Sequence, residues 1–274
     1  MQRISTFSRH GLRFDVTDEG PIDGPVVVLL HGFPANRGAW NGVAPLLHAA
    51  GMRTLAPDQR GYSPGARPTG RAAYRPRELV RDVVALIDAS GAERVSIVGH
   101  DWGGIVAWWL GTVVPQRLDR ITVVSTPHPR ALTASLLSSD QAIRSSYVGL
   151  LQLPVLPERL LLPRLGALLR SSGLPHAVAD DYASRMAEPG ALTAALNWYR
   201  ALLVPGGGRA NGDGRIHVPT RYVWGRQDFA LGRRPAELTE RYVAAPYDFV
   251  EFGGGHWIPE KAPDYLATQI LRPL

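Results

Sequence analysis

The chain has no cysteine, which excludes a disulfide framework and a thiolate metal site. Lysine is nearly absent too: Lys261 is the only one, so the formal charge of +6 rests on arginine. The arginines are scattered, with no basic run or stripe to follow a phosphate backbone. This argues against nucleic acid as a partner and reads as general surface charge. Long hydrophobic runs are missing. The longest, Ile105 to Leu110, falls far short of the ~20 residues that cross a bilayer, and Met1 to Arg13 has no apolar stretch to act as a signal core. A cytoplasmic protein without a membrane span is expected. Internal repeats and low-complexity tracts are also lacking.

What is present is an ordinary globular composition: 274 residues, 45% hydrophobic and 20% charged, enough for one core plus an insertion. Pro25 to Leu30 reads Pro-Val-Val-Val-Leu-Leu and ends in His31-Gly32-Phe33-Pro34. Such a short continuous apolar run marks a strand covered on both faces. The same pattern predicts strands at Arg53 to Ala56, Arg94 to Val98, Arg120 to Val124, Thr220 to Trp224 and Tyr247 to Phe252. Pro76 to Ala89 places Leu79, Val83, Leu86 and Ile87 on one helical face. Strands alternating with helices imply an α/β fold with a mostly parallel sheet and right-handed crossovers. From Pro129 to Ile216 the pattern changes to leucine-rich stretches broken by Pro154, Pro157, Pro163, Pro175 and Pro189. We expect residues 1–128 and 216–274 to form the core and 129–215 an inserted helical cap. The glycine-rich Pro205 to Gly214 would be the loop returning the chain to the sheet.

Gly99-His100-Asp101-Trp102-Gly103-Gly104 follows a predicted strand and opens an apolar helix. This is a glycine, nucleophile, glycine turn with aspartate where an esterase has serine. The turn strains its central residue, so the positions two before and two after must be very small, as Gly99 and Gly103 are. The plain alternative is that Asp101 only caps the helix. An aspartate is ionised at neutral pH and needs no base to attack a saturated carbon. That attack leaves an alkyl ester, and its hydrolysis does need a base. Of the eight histidines, His256 has the best context, in Gly253-Gly254-Gly255-His256-Trp257 after the last predicted strand. His31 and His100 lie beside the active turns and suit local hydrogen bonding. His128, in Thr126-Pro127-His128-Pro129, is the rival base, while His10, His48, His176 and His217 lack supporting context.

Asp228, after the strand ending at Trp224, is the acid expected to hold the histidine's other N–H, with Asp248 as its substitute and a solvated turn residue as the plain alternative. The backbone N–H groups of Phe33 and Trp102 are candidates for an oxyanion hole. The tight turn at Phe33 suggests a cis bond before Pro34.

Taken together, these motifs resemble the α/β-hydrolase fold, and the chain is similar to the epoxide hydrolases over nearly its whole length. The order nucleophile, acid, histidine matches that fold. The resemblance implies a mostly parallel central sheet flanked by helices with an inserted helical cap. It also implies hydrolysis of an epoxide to a vicinal diol through an ester on Asp101, with no cofactor or metal. Asn197-Trp198-Tyr199-Arg200 resembles the family segment carrying one ring-opening tyrosine, which maps to Tyr199. Tyr147, in Tyr147-Val148-Gly149-Leu150-Leu151-Gln152-Leu153-Pro154, occupies the place of the second, although Gly149, Leu150 and Leu151 stand where aromatic residues are often found. For either tyrosine the plain alternative is an amphipathic core residue.

Phe33, Pro34, Trp102, Trp198 and the cap leucines are expected to wall a site for a small lipophilic epoxide. Haloalkane and fluoroacetate dehalogenases share the aspartate nucleophile. Trp102 and Ile105 supply no charge for a substrate carboxylate, as a fluoroacetate enzyme needs, and Phe33 stands where a haloalkane enzyme commonly has asparagine or glutamate. Trp102 is shared with the haloalkane family. A haloalkane-type dehalogenase and a non-catalytic small-molecule binder therefore remain as alternatives. Acyl-ester hydrolysis is disfavoured, because carboxylate attack on a carbonyl gives a reactive anhydride. The leucine-rich Leu156 to Leu169 stretch is either a contact surface, for instance in a homodimer, or buried cap.

Overall fold

The computed structural model describes residues 2–204 and 213–274. Its sheet has eight strands: β1 (Thr6–Arg9), β2 (Leu12–Glu19), β3 (Val26–Leu30), β4 (Arg53–Pro57), β5 (Val95–His100), β6 (Leu118–Val124), β7 (Thr220–Gly225) and β8 (Tyr247–Phe252), in the spatial order β1-β2-β4-β3-β5-β6-β7-β8. The pairs β1/β2 and β2/β4 are antiparallel and every later pair is parallel. Every residue of β3, β4 and β7 is buried, as expected of strands with both faces covered. All residues of the edge strand β8 are only partly buried.

The predicted strands are present with small shifts at their ends. The two strands not expected from the sequence are β1 and β2. They form a hairpin whose turn residues, His10 and Gly11, both have positive φ (50° and 77°), the backbone of a type I′ turn. Its core contribution comes from isolated residues, Phe7, Phe14 and Val16, which make no continuous apolar run. The expected helix spans Pro76–Ser90 and stops at Gly91, whose left-handed φ of 76° lets its N–H reach the Asp88 carbonyl.

Between β6 and β7 the described chain is helical and contributes no strand. Seven helices follow one another: Pro129–Ser135, Gln141–Arg144, Tyr147–Leu151, Leu156–Leu161, Leu165–Ser171, His176–Met186 and Ala191–Ala201. Residues 205–212 of the expected return loop lie outside the described residues. Among the described residues no helix is long and apolar enough to cross a membrane.

The arginines are not all surface charge, which corrects the reading from composition. Arg53, Arg60, Arg200 and Arg221 are buried, each against a carboxylate. Arg53 makes a two-pronged contact with Asp18 of β2, Nε to Oδ1 at 2.8 Å and Nη2 to Oδ2 at 2.6 Å. Asp82 on the helix Pro76–Ser90 takes Arg60 in the same way, at 2.6 and 2.7 Å, and also accepts from Arg9 of β1 at 2.8 Å. A planar guanidinium matched to a carboxylate keeps its hydrogen bonds when water is removed. Sequence position alone does not reveal these pairs, because their members lie 22 to 73 residues apart.

Removing one partner of such a pair leaves the other charge buried and under-satisfied. Asp18→Asn is therefore expected to destabilise the fold by about 3–5 kcal/mol. The measurement is a lowered urea midpoint with an unchanged denaturant slope.

Candidate active site

The turn after β5 places Asp101 at φ 51°, ψ −119°, ahead of the helix Trp102–Val113. A non-glycine residue in that region costs about 1–3 kcal/mol and needs its surroundings to hold it. Here the surroundings are tight: a Cβ on Gly99 would strike the Gly103 carbonyl, and one on Gly103 would strike the carbonyls of Leu30 and His31. A Cβ on Gly32 would fall on the Asp101 carboxylate itself. Although Asp101 stands at the N-cap position, its side chain makes no capping hydrogen bond. Oδ1 instead accepts the Phe33 N–H at 2.8 Å across the neighbouring turn, and the Trp102 N–H also reaches the carboxylate. The Phe33–Pro34 peptide is cis, as expected.

His256 comes from the loop after β8, which is pinned beside the end of β7 because the Gln227 N–H donates to the Gly254 carbonyl at 3.0 Å. A Cβ on Gly225 would meet the Gly254 and Gly255 carbonyls. Asp228 accepts His256 Nδ1–H at 2.8 Å through Oδ2, while its Oδ1 accepts the N–H groups of Ala230 and Leu231 at 2.8 and 3.0 Å. Nε2 of His256 then lies 3.7 Å from Asp101 Oδ2. The histidine's carbonyl is held from behind by the Ser125 hydroxyl and His100 Nε2, both at 2.9 Å.

Burial works against a charge on His256, but Asp228, Asp101 and Glu260 together outweigh it and carry its pKa up to about 9. At Asp101, burial raises the pKa, and the His256 charge and the two backbone N–H groups offset only part of that rise.

Both tyrosines meet this carboxylate in one cavity of about 550 Å³, lined also by Phe33, Pro34, Phe229, Trp257 and leucines of the inserted helices. Their rings lie 6.2 Å apart. Desolvation in the cavity first, and the Asp101 charge with it, pushes both hydroxyls above the ordinary phenol range, although the Tyr147 side chain also reaches the cavity mouth. The Trp102 side chain, hydrogen-bonded to Tyr199, pulls the other way without overcoming this. At neutral pH both phenols therefore keep a proton to donate. Arg200 fixes their helices: it bonds the carbonyls of Leu151 and Leu153 at 3.0 and 2.7 Å and pairs with Glu158 at 2.8 Å.

The rival histidine sits elsewhere. His128 stacks on Tyr242 with centroids 4.9 Å apart and accepts the Arg130 N–H, and burial drives its pKa down to about 3. Asp248 pairs with Arg221 and not with a histidine. His31 and His100 make local hydrogen bonds. Two expected wall residues need correction. Trp198 and Trp102 do not line the cavity; they form a second aromatic layer behind Tyr199, with the Trp198 indole N–H donating to the Arg60 carbonyl at 2.8 Å. Successive helical residues point about 100° apart, so Tyr199 takes the cavity and Trp198 the core. Among the described residues, no group of three or more histidine, aspartate or glutamate side chains is placed to hold a metal ion.

Sequence reasoning missed Glu260. Its carboxylate accepts the Tyr182 hydroxyl at 2.9 Å through one oxygen, and the other oxygen is buried without a partner. Burial raises its pKa to about 7, although His256 pulls it down. The available signal was an acidic residue four positions after the candidate base, at the start of the short helix Ile258–Lys261.

Comparison with known proteins adds the following. Residues 25–263 match the alpha/beta hydrolase fold family. The chain is 38% identical to AB hydrolase superfamily protein YfhM of Bacillus subtilis (strain 168), over 97% of this chain and 95% of that one. It is 30% identical to Epoxide hydrolase A of Mycobacterium tuberculosis, over 96% and 94%. Its structure resembles the crystal structure of Epoxide Hydrolase A from Mycobacterium thermoresistibile with a TM-score of 0.82, at 26% identity over 97% and 95% of the two chains.

The electrostatics give an ordered expectation. In the ligand-free protein the His256 imidazole should titrate near 9, and NMR of the ring protons reads this directly. Asp228→Asn should lower the midpoint most, Asp101→Asn less and Glu260→Gln least. Because the folded value lies above the unfolded one, the stabilisation from this charge is complete below about pH 6.5 and is lost as pH rises through about 9.

Proposed function

The chain belongs to the α/β-hydrolase fold family, in its epoxide hydrolase branch, and on that premise we propose that it hydrolyses an epoxide to a vicinal diol through an ester on Asp101. The observation that carries this is a single juxtaposition. One apolar cavity contains a carboxylate held by two backbone N–H groups, a histidine bound to a second carboxylate, and two protonated phenols. Residues 129–215 are read as the cap, and its described helices, Pro129–Ser135 to Ala191–Ala201, close the cavity over the sheet.

In this mechanism Tyr147 and Tyr199 hold the ring oxygen. Asp101 attacks a ring carbon, the carbon–oxygen bond breaks, and the departing oxygen takes a proton from a phenol. An alkoxide is a poor leaving group, so this proton transfer is what the two tyrosines contribute. Forming the ester removes the negative charge of Asp101, and with it part of what keeps His256 protonated. His256 returns a proton to the phenolate and becomes the neutral base the second step requires. Water attacks the ester carboxyl carbon as His256 takes its proton, and the N–H groups of Phe33 and Trp102 hold the oxyanion. Collapse breaks the bond to the alkoxide, which takes its proton from His256; the Asp101 carboxyl then returns its own proton to His256, so the diol leaves, the carboxylate is restored and all protons balance.

The cavity favours a neutral lipophilic substrate, because among the described residues its lining includes no arginine or lysine to receive a substrate carboxylate. The paired phenols favour an oxygen leaving group over a halide.

The test is an epoxide panel with diol detection run beside halide detection. Asp101→Asn should abolish fresh turnover. His256→Gln should stall at the ester and gain the mass of the substrate, and normal turnover without an adduct would remove His256 from the mechanism. Tyr199→Phe should lower kcat by about 10²-fold or more, as expected on losing a proton donor. Halide release from haloalkanes without diol formation would transfer the chain to dehalogenase chemistry.

A further inference from the structure

The helices Tyr147–Leu151, Leu156–Leu161 and Leu165–Ser171 are apolar on more than the side that faces the cavity. Leu151, Leu161, Leu165 and Leu169 turn inward to line it. On the outer side Leu153, Val155, Leu156, Leu160 and Leu162 are exposed by 41 to 54%. Leu150 and Leu168 do both: they line the cavity and remain 43% and 47% exposed, as do Tyr147 and Phe229 at 45% and 53%. These four residues therefore mark the cavity mouth, and the exposed leucines continue its apolar lining onto the outside of the molecule. Leaving so many aliphatic side chains in water in one short segment is costly unless something covers them.

Charge indicates what covers them. The same segment carries Arg159, Arg164 and Arg170, with Glu158 as its one acid, and Glu158 is occupied by Arg200. Arg170 is paired with Asp180, whereas Arg159 and Arg164 form no ion pair among the described residues. An apolar face with unpaired arginines at its border is the chemistry of the water–lipid boundary, where aliphatic side chains enter the acyl region and guanidinium groups meet anionic headgroups.

The backbone adds an independent sign. Val155 is held at φ 63°, a conformation that a β-branched residue strongly disfavours and that glycine or asparagine adopts cheaply. It is 54% exposed, so its isopropyl group contributes little to the fold in return for that strain.

We propose that this outer face docks the protein on an anionic lipid surface, with the cavity mouth turned towards the bilayer. A lipophilic substrate would then pass from the lipid into the cavity without crossing water, a role that rests on reading the cavity as an epoxide site. A second copy of the chain fits the face less well. A two-fold contact would bury Arg159 and Arg164 in an interface whose one acid from this segment, Glu158, is already paired with Arg200, and it would cover the mouth.

The experiment is flotation of the full chain at low salt with vesicles of phosphatidylcholine alone and with vesicles containing phosphatidylglycerol. The protein should float with the anionic vesicles, more weakly with the neutral ones, and release as salt rises. Leu156→Ser with Leu160→Ser should cut binding by about tenfold or more. Arg159→Gln with Arg164→Gln should abolish the preference for anionic vesicles. Val155→Asn should weaken binding while leaving the thermal midpoint equal or higher, which separates docking from folding. Failure to float with either vesicle, or unchanged flotation of the leucine variant, overturns the proposal. So does a dimer in light scattering that the leucine variant dissolves, since the face would then belong to a second copy. Diol formation from a small water-miscible epoxide is scored separately. Flotation without diol refutes the reading of the site and leaves docking intact, whereas diol without flotation does the reverse.

Discussion

A carboxylate buried against an apolar cavity is the constraint on which the rest of this structure depends. Burial pushes the Asp101 pKa up, away from the ionised form that the proposed attack requires. The fold opposes that with two backbone N–H groups and a nearby histidine. Neither amide can be delivered by a side chain, so both turns must approach within hydrogen-bond distance. This is why Gly32, Gly99 and Gly103 leave no room for a Cβ. The strained backbone of Asp101 belongs to the same arrangement. At φ 51° the side chain is lifted off the helix end it would otherwise cap and turned towards the cavity.

The histidine faces the converse problem. Its imidazole is buried and would be neutral on its own, yet the surrounding acids raise its pKa to about 9. On the proposed mechanism the reaction itself changes that balance, since esterification of Asp101 removes one of the charges that stabilise the imidazolium. The base is thereby weakened at the step where it must accept a proton from water and later yield it. Glu260, on the helix Ile258–Lys261, adds to the same field by its charge, and the Tyr182 hydroxyl donates a hydrogen bond to it.

Much of this was legible in the sequence. The parallel strands were visible because residues covered on both faces must be apolar without interruption. The turn that carries Asp101 was visible because its steric demands leave a fixed glycine spacing. The histidine and its acid were visible from their loops at the ends of predicted strands. The β1/β2 hairpin was not, because it contributes only alternate residues to the core. Nor were the buried ion pairs, because Asp18 and Arg53 become neighbours only through strand pairing.

The sequence by itself determined the fold family and marked the candidate nucleophile, acid and base by local patterns, while the two tyrosines were marked by the resemblance of their segments to the epoxide hydrolases. Tertiary structure alone decided which neighbours share the cavity. Trp198 and Tyr199 are adjacent in the chain, yet one packs into the core and the other faces Asp101. Phe229 joins the cavity beside His256 only after separate loops converge at the end of the sheet. Direction and proximity in space depend on how helices and loops pack against each other, and no short segment encodes that relation.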